Sequence, residues 1–251
     1  MNLKEFFKIS FVLTFFLLSS ILFSCGQKED LKLVSQNFSE KNLYKNIEKS
    51  FKEKKYEDVI AQAEVYLKYF PYSPHAQDVF YMLAISYKKF IFGPEYDPYF
   101  AEKLYNLSKK YLLLYPNGKY KKEFQKFKAY AKNILFNHEY IIVKEEIKRN
   151  NYYAALDRLY NLCRKKKYKD EIYKHKKEIK KLFKELKPKA ISQINKMIKE
   201  REEKIREYEE KIQKDEKHKN IYLNWISLLK NEIKYLENKK KEVESLSCSL
   251  W

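Results

Sequence analysis

Apolar residues recur at intervals of three and four along most of the chain, which is the spacing of one face of an α-helix. The first such series contains Leu43, Ile47 and Phe51. A second series fills residues 56–70 and ends before Pro71, since proline cannot continue a helix. A short charged turn separates the two series, so the pattern predicts an antiparallel pair of helices.

The same pattern repeats further along the chain. Apolar series over residues 80–87 and 101–115 flank a loop at residues 91–98, and a third pair of helices is predicted over about residues 120–163. Helix pairs of this length are typical of tetratricopeptide-like repeats, which cannot bury their apolar faces alone. We therefore expect an all-α fold in which helical hairpins stack into a solenoid over residues 41–187 and present an inner surface to a partner.

A different helical region is predicted over residues 188–251. Apolar residues recur at intervals of three, four or seven over residues 191–212, and the seam resumes over residues 222–236. The polar run at residues 213–220 between them contains neither Gly nor Pro. We expect a basic helical hairpin or coiled coil, and the alternative is one long helix.

The amino-terminal residues indicate an export signal. Residues 9–23 carry no charge, and this span of about 15 residues is short for a permanent transmembrane helix. The sequence Leu-Phe-Ser-Cys that ends at Cys25 resembles the lipobox of bacterial lipoproteins. The resemblance implies that residues 1–24 are a signal peptide and that Cys25 is the lipid-attachment residue, carrying diacylglycerol and acyl chains such as palmitate. Residues 25–40 would then be a flexible tether, and the alternative is an ordinary signal, or a single anchor, with a chance cysteine.

Charge raises a second class of function. The chain has 53 basic and 34 acidic residues, a net charge of +19, while 45% hydrophobic content is enough for a folded protein. Lysines concentrate at residues 165–189 and 230–241, a feature of nucleic-acid binders. Because acidic residues are interleaved with them and an exported lipoprotein meets no genome, we expect a solvated basic face and no nucleic-acid partner. Attraction to anionic lipid headgroups is a secondary hypothesis.

Residue types that support catalysis or metal binding are sparse or scattered. Glycine occurs three times and never in a phosphate-binding spacing. The four histidines form no H-E-x-x-H motif, and the sequence has no C-x-x-C or G-x-S-x-G motif. We therefore expect no enzymatic activity, metal or cofactor. Beyond the signal only Cys163 and Cys248 remain, which does not predict an obligatory disulfide framework.

Four segments carry a family resemblance. Residues 70–74 are Phe-Pro-Tyr-Ser-Pro, and residues 115–120 are Tyr-Pro-Asn-Gly-Lys-Tyr. Residues 138–140 are His-Glu-Tyr, followed at residues 151–158 by Asn-Tyr-Tyr-Ala-Ala-Leu-Asp-Arg. In their order and spacing these segments resemble the BamD family, the tetratricopeptide lipoproteins of the outer-membrane β-barrel assembly machine. The likeness covers a little over half of the chain.

The resemblance implies a function. It implies a non-enzymatic scaffold, anchored by lipid to the periplasmic face of the outer membrane, that assists the assembly and insertion of β-barrel outer-membrane proteins. The implied partners are a BamA-type barrel protein and unfolded outer-membrane protein substrates. The alternative is a tetratricopeptide lipoprotein scaffold of another envelope system, such as pilus assembly or cell division.

A partner-binding surface is predicted on the first helix of the second repeat. Asp78, Tyr81, Ile85 and Lys88 are spaced by three or four residues on the side away from the apolar core positions of that helix. We expect these four residues to line the inner surface and to contact extended peptide. Packing between repeats is the alternative role for the same positions.

Overall fold

The computed structural model describes residues 39–248, and every regular element in this part of the chain is helical. The nine α-helices of residues 39–248 are α1 (Glu40–Lys52), α2 (Tyr56–Tyr69), α3 (Ala76–Lys89), α4 (Tyr99–Leu114), α5 (Lys121–Lys148), α6 (Tyr152–Arg164), α7 (Lys169–Lys174), α8 (Lys176–Lys214) and α9 (Lys219–Ser245). Single 3₁₀ turns at Lys166–Tyr168 and Glu216–His218 precede α7 and α9. The predicted all-α fold of helical hairpins is confirmed.

The ends of the first helices follow local sequence signals. Ser39 accepts a hydrogen bond from the backbone N–H of Asn42 at 3.2 Å and so caps the start of α1. Lys54 adopts the left-handed backbone conformation, with φ of 60°, in the turn between α1 and α2. Helices α2 and α4 each end two residues before a proline, Pro71 and Pro116 respectively, because the residue before proline disfavours helical geometry.

The first compact unit combines residues 39–90 with residues 107–124. Helix α2 packs against both α1 and α3. Its apolar face contributes Val59, Ala63 and Tyr66 to the core, and all three are fully buried. Because the side chain of Ala63 is small, the neighbouring helix can approach α2 closely at this position.

The second compact unit combines residues 91–106 with residues 125–248. Its longest helix, α8, has 39 residues and therefore extends for about 58 Å. Helix α8 packs against α6 and against α9. The buried side chains of α6 include Leu156 and Leu159, while α8 buries Ile179 and Leu186.

Helices α8 and α9 form the predicted hairpin rather than one long helix, and the turn lies at residues 215–218. Three contacts along the hairpin show an antiparallel arrangement: Tyr208 with Tyr222, Arg201 with Glu232, and Lys187 with the carbonyl of Glu244. The first of these contacts lies next to the turn and the last lies at the open end. The seam read from the sequence is therefore the interface between the two helices.

The domain boundary predicted at Pro188 falls inside a continuous helix. Helix α8 begins at Lys176 and continues through Pro188, so the hairpin starts upstream of the proline. Pro188 is exposed, whereas Leu186 and Ala190 on either side are buried. Proline removes one backbone N–H from the helix, and on an exposed face water can hydrogen bond to the carbonyl that loses its partner. The solvent-facing position explains why the helix does not end there.

The predicted signal peptide, Cys25 and most of the predicted tether lie outside the described residues. Among residues 39–248, no helix is long and apolar enough to cross a membrane. The lipid anchor at Cys25 therefore stays a prediction.

Candidate functional site

The four residues predicted to bind a partner lie along one stripe of α3. Asp78, Tyr81, Ile85 and Lys88 are each partly or largely exposed to solvent. The other side of α3 is buried. The eight buried residues of this helix are Ala76, Val79, Phe80, Met82, Leu83, Ala84, Ser86 and Tyr87. The structure therefore brings the four predicted residues together on one surface, which we call the α3 stripe.

The beginning of the α3 stripe contacts the segment that joins α4 to α5. The Asp78 carboxylate accepts a hydrogen bond from Lys119 Nζ at 2.8 Å and another from the Tyr120 hydroxyl. The ring of Tyr81 stacks on the ring of Tyr120, with centroids 4.4 Å apart and an interplanar angle of 13°. Two of the four predicted residues thus hold the protein's own Tyr-Pro-Asn-Gly-Lys-Tyr segment against α3.

Further hydrogen bonds fix the same segment. Gln77 Oε1 accepts hydrogen bonds from the Tyr111 hydroxyl at 2.8 Å and from the Lys119 backbone N–H at 2.9 Å. The Tyr111 hydroxyl in turn accepts a hydrogen bond from the backbone N–H of Tyr120 at 2.9 Å. A Cβ atom at Gly118 would lie 2.5 Å from the Tyr111 hydroxyl, so this close approach requires glycine. We call the contacts of Gln77 and Asp78 with residues 111–120 the closure network.

Hydrogen bonds between charged groups determine the protonation states in the closure network. Burial acts to raise the pKa of the Asp78 carboxyl, but the hydrogen bonds from Lys119 and Tyr120 outweigh burial and hold that pKa below its ordinary value of 3.8. The hydrogen bond to Asp78 raises the pKa of Lys119. Burial, together with the Asp78 carboxylate, raises the pKa of Tyr120. At neutral pH the carboxylate and the ammonium group are therefore charged, and the phenol is protonated.

A groove opens on the opposite side of α3 from the stripe, where α2, α3 and α4 meet. Its cavity volume is about 450 Å³, which is in the range of binding pockets. Leucine side chains line its interior, and two lysines and one glutamate supply charge. The lining residues are Glu64, Leu67, Lys68, Pro71, Tyr72, Leu83, Tyr87, Leu107, Lys110 and Leu114. We call this cavity the α2–α4 groove.

The α2–α4 groove combines a buried apolar floor with an exposed aromatic ring. Leu67 and Leu83 are 4% and 1% exposed, whereas Tyr72 is 79% exposed. The hydroxyl of Tyr115 donates a hydrogen bond to the Pro71 carbonyl at 2.6 Å, which holds the turn that carries Tyr72. An exposed aromatic side chain on a fixed turn beside an apolar cavity is suited to contact a partner.

Sequence reasoning missed the α2–α4 groove. It assigned Leu83 and Tyr87 to helix packing, and both are indeed buried, with the Tyr87 hydroxyl donating a hydrogen bond to the Glu64 carboxylate. The sequence signal that could have found the groove is Tyr72, an aromatic residue directly after the proline that ends α2. None of the four residues of the α3 stripe lines the groove, because the stripe and Leu83 occupy opposite sides of the same helix.

The His-Glu-Tyr segment of α5 stabilises the second unit. His138 Nδ1 lies 2.7 Å from the carbonyl oxygen of Pro94 and so fixes the enlarged loop at residues 91–98. Glu139 forms an ion pair with Lys165. Tyr140 is buried. Since all three side chains contact their own unit, this segment acts in the fold and gives no sign of a reactive site.

A second groove lies between α8 and α9, towards the turn of the hairpin, and its cavity volume is about 650 Å³. Trp225, Leu228 and Tyr235 of α9 line it, and each is more than half exposed. Arg201 and Lys204 of α8 add positive charge to the opposite wall. We call this cavity the hairpin groove. Exposed aromatic and aliphatic side chains beside basic residues are typical of surfaces that contact other molecules.

The two grooves share the same kinds of lining residues. Their walls consist of apolar floors, exposed aromatic rings and basic side chains. Across residues 39–248, no group of three or more His, Cys, Asp or Glu side chains could hold a metal ion.

Comparison with known proteins gives one family. The model of the YfiO family, described as outer membrane lipoprotein, matches residues 34–190, which is more than half of the chain. The matched residues contain the α2–α4 groove, the closure network and the His-Glu-Tyr segment. They exclude α9 and most of α8, so the hairpin groove lies beyond the match. A search of curated proteins finds no match.

Proposed function

Because the chain belongs to the YfiO family of outer membrane lipoproteins, we propose that it is a non-enzymatic scaffold that assists the assembly and insertion of β-barrel outer-membrane proteins. In this proposal the protein is anchored through lipid on Cys25 and faces the periplasm. Its partners are a BamA-type barrel protein and unfolded outer-membrane protein substrates. The observation that carries the proposal is the α2–α4 groove within the part of the chain that the family matches.

The apolar floor of the α2–α4 groove suits a segment of a barrel strand. Strands of outer-membrane barrels alternate apolar and polar side chains, so an extended segment presents its apolar side chains on one face. Such a face can place one or two side chains against Leu67 and Leu83 while its backbone stays near the solvent. Tyr72 adds an aromatic surface against which an aromatic residue of the substrate can pack.

The charges at the α2–α4 groove favour a peptide that carries a carboxylate. Lys68 and Lys110 line the groove and are exposed, and Glu64 is engaged by the Tyr87 hydroxyl. A carboxylate at the end of a substrate segment, or on an acidic side chain, would find two ammonium groups within the same cavity. Apolar contacts supply the affinity in this arrangement, and the lysines orient the segment.

The α3 stripe is a second candidate surface for the same function. Asp78 and Tyr81 hold residues 119 and 120 against α3, while Ile85 and Lys88, at the other end of the stripe, are partly and largely exposed and would be the positions that contact a partner. We propose that the stripe supports docking of a folded partner domain and that the α2–α4 groove accepts extended peptide.

One experiment tests the groove. The full-length lipoprotein in detergent is titrated with a peptide from the C-terminal strand of a barrel protein, and the variant Tyr72→Ala is compared with Tyr173→Ala. Tyr173 is a matched control because it is 70% exposed, lies on α7 in the second unit and does not line the groove. Loss of an aromatic contact of about 1–2 kcal/mol should weaken peptide binding by roughly 5- to 30-fold in the first variant, with no change in the second.

The same preparation discriminates between the possible functions. Co-purification from detergent-solubilised envelopes should recover a barrel-forming partner, and peptide binding should persist from about 50 to 200 mM salt. Recovery of a pilus or division protein instead would favour another envelope system. Tight binding of a single-stranded oligonucleotide that falls steeply over the same salt range, with no peptide binding, would overturn the proposal.

A further inference from the structure

Two cysteines that are distant in sequence are in contact in the second unit. Cys163 lies near the end of α6, and Cys248 lies three residues after the end of α9. Both cysteines are free and buried, and the two thiols lie close enough to interact. Each residue is only 2% exposed. Two free thiols that interact within a folded unit are placed to form a disulfide.

The fold itself produces this contact. Helices α6 and α9 both pack on α8, and Cys163 near the end of α6 and Cys248 just after α9 are both buried in this unit. Val243, Leu246 and Cys248 are all buried, so the segment after α9 is docked against the unit. Lys187 Nζ of α8 donates a hydrogen bond to the carbonyl of Glu244 at 3.3 Å and fastens the same end of α9.

The redox conditions of the compartment determine whether two such thiols stay reduced or form a disulfide. An outer membrane lipoprotein is exported into an envelope in which disulfides can form and persist, unlike the reducing cytosol. In the folded protein, burial and contact with Cys248 raise the pKa of the Cys163 thiol, so little thiolate is present to react. Oxidation must therefore occur before the C-terminal segment docks, or during its transient release.

We propose that Cys163 and Cys248 form a disulfide bond in the exported protein and that this bond fastens the end of α9 to α6. The proposal rests on export of the chain and not on the barrel-assembly function. The covalent loop contains the whole of α7, α8 and α9, so both helices of the hairpin are constrained by a single bond.

The oxidant is a disulfide-bearing thiol oxidoreductase or a small-molecule disulfide. With the tail released, the thiolate of one cysteine attacks the oxidant disulfide, forms a mixed disulfide and displaces one oxidant thiolate. The thiolate of the second cysteine then attacks the protein sulfur of that mixed disulfide and displaces the other oxidant thiolate. The protein loses two protons and two electrons, and the oxidant leaves as two thiols.

Thiol mapping on the exported full-length protein tests the bond. Envelope protein is denatured in acid, treated with a maleimide without reductant, and digested. We expect no label on Cys163 or Cys248, and one cross-linked peptide pair whose mass is two hydrogens below the sum of the two peptides. After reduction both cysteines should be labelled. In the variant Cys248→Ser, Cys163 should be labelled without reduction, and in Cys163→Ser the same should hold for Cys248.

A comparison of melting temperatures with and without reduction is the second test of the disulfide. The wild-type protein is denatured, reduced and refolded, and its Tm should then be about 5–15 °C lower than that of the oxidised protein. The same treatment should leave the Tm of the double variant Cys163→Ser/Cys248→Ser unchanged. Labelling of both cysteines in unreduced envelope protein, or their pairing between two chains, would overturn the proposal. The mapping on the wild-type protein needs no variant, so it decides the question even if a serine variant fails to fold. A negative result in the barrel-peptide titration leaves this outcome unaffected.

Discussion

Tyr120 contacts α3 in two ways, since its ring stacks on Tyr81 at a centroid distance of 4.4 Å while its hydroxyl donates a hydrogen bond to the Asp78 carboxylate. The residue that follows the helix-ending Tyr-Pro-Asn-Gly-Lys sequence is therefore held against the first half of α3. The contact joins residues that are distant in sequence, and both lie within the first unit. It makes the closure network a measurable part of the stability of the first unit.

The two contacts of Tyr120 can be separated by substitution. Tyr120→Phe keeps the ring and removes the hydroxyl, so we expect a loss of about 0.5–1.5 kcal/mol in the free energy of unfolding. Tyr120→Ala removes the stacking as well and should cost about 1–2 kcal/mol more. Urea unfolding of both variants measures the difference. Equal losses in the two variants would show that the stacked ring contributes nothing.

The closure network should make stability depend on acidic pH. The folded-state pKa of Asp78 lies below its ordinary value of 3.8, so its stabilising effect is fully present above that value and is lost as the pH falls through the lower folded-state pKa. Asp78→Asn should therefore reduce stability at pH 7, by up to about 1 kcal/mol for this partly exposed group, and should flatten the decline below pH 4.

The matched control for Asp78 is Glu203→Gln. Glu203 forms an exposed ion pair with Lys199 one helical turn away, at 3.9 Å, on α8. Urea midpoints measured from pH 2 to pH 7 should follow the wild type in this control. A decline that is as steep in Asp78→Asn as in the wild type would contradict the assignment.

Substitution of Gly118 should disrupt the closure network by steric overlap. A Cβ atom there would lie 2.5 Å from the Tyr111 hydroxyl and 2.7 Å from Gln77 Oε1, both of which are held by hydrogen bonds. We expect Gly118→Ala to cost about 1–3 kcal/mol, measured as a lower urea midpoint. Gly93→Ala is the control, because its added Cβ would meet only the flexible side chain of Glu95, which can move away.

Core packing of α2 predicts a position-specific response to tryptophan. Ala63 is fully buried in the first unit, so Ala63→Trp should overpack the core and cost about 1–3 kcal/mol or more, seen as a lower Tm. Ala61 lies two residues earlier on the same helix and is exposed. Ala61→Trp should leave the Tm nearly unchanged. An unchanged Tm in Ala63→Trp would contradict the packing of α2.

The proposed lipid anchor predicts a change in processing. Cys25→Ala removes the acceptor for lipid, so the variant should remain unprocessed or be released from the membrane, because acyl chains provide the membrane affinity. Intact mass and membrane fractionation measure both effects. An unchanged mass together with unchanged outer-membrane fractionation would refute attachment at Cys25.

Local signals in the sequence predicted most of the fold. Proline at positions 71 and 116 ended α2 and α4 as expected, and the apolar seam on either side of residues 213–220 gave the hairpin. These features depend on backbone geometry and on the side-chain period of a single helix. Helix α8 continues through Pro188 because the effect of a proline on a helix depends on its exposure, which the local sequence does not reveal.

The candidate site was only partly predictable, for a physical reason. Helical spacing correctly grouped Asp78, Tyr81, Ile85 and Lys88 on one side of α3, and their partner-binding role stays a proposal. The α2–α4 groove depends on which residues of α2 and α4 approach the other side of α3, and the interaction of Cys163 with Cys248 depends on the packing of three helices. Spacing within one helix contains neither kind of information.

Because α8 is continuous through Pro188, the direction in which the hairpin groove faces depends on the number of residues in the helix. Each residue advances an α-helix by about 1.5 Å and turns it by about 100°. One residue added between Ala190 and Arg201 would swing the wall formed by Arg201 and Lys204 through more than a quarter of a circle relative to α6. Seven added residues would return that wall to nearly its original direction. An insertion or deletion in the hairpin therefore keeps the direction of its groove only if it adds or removes about two helical turns in α8 and the same length in α9.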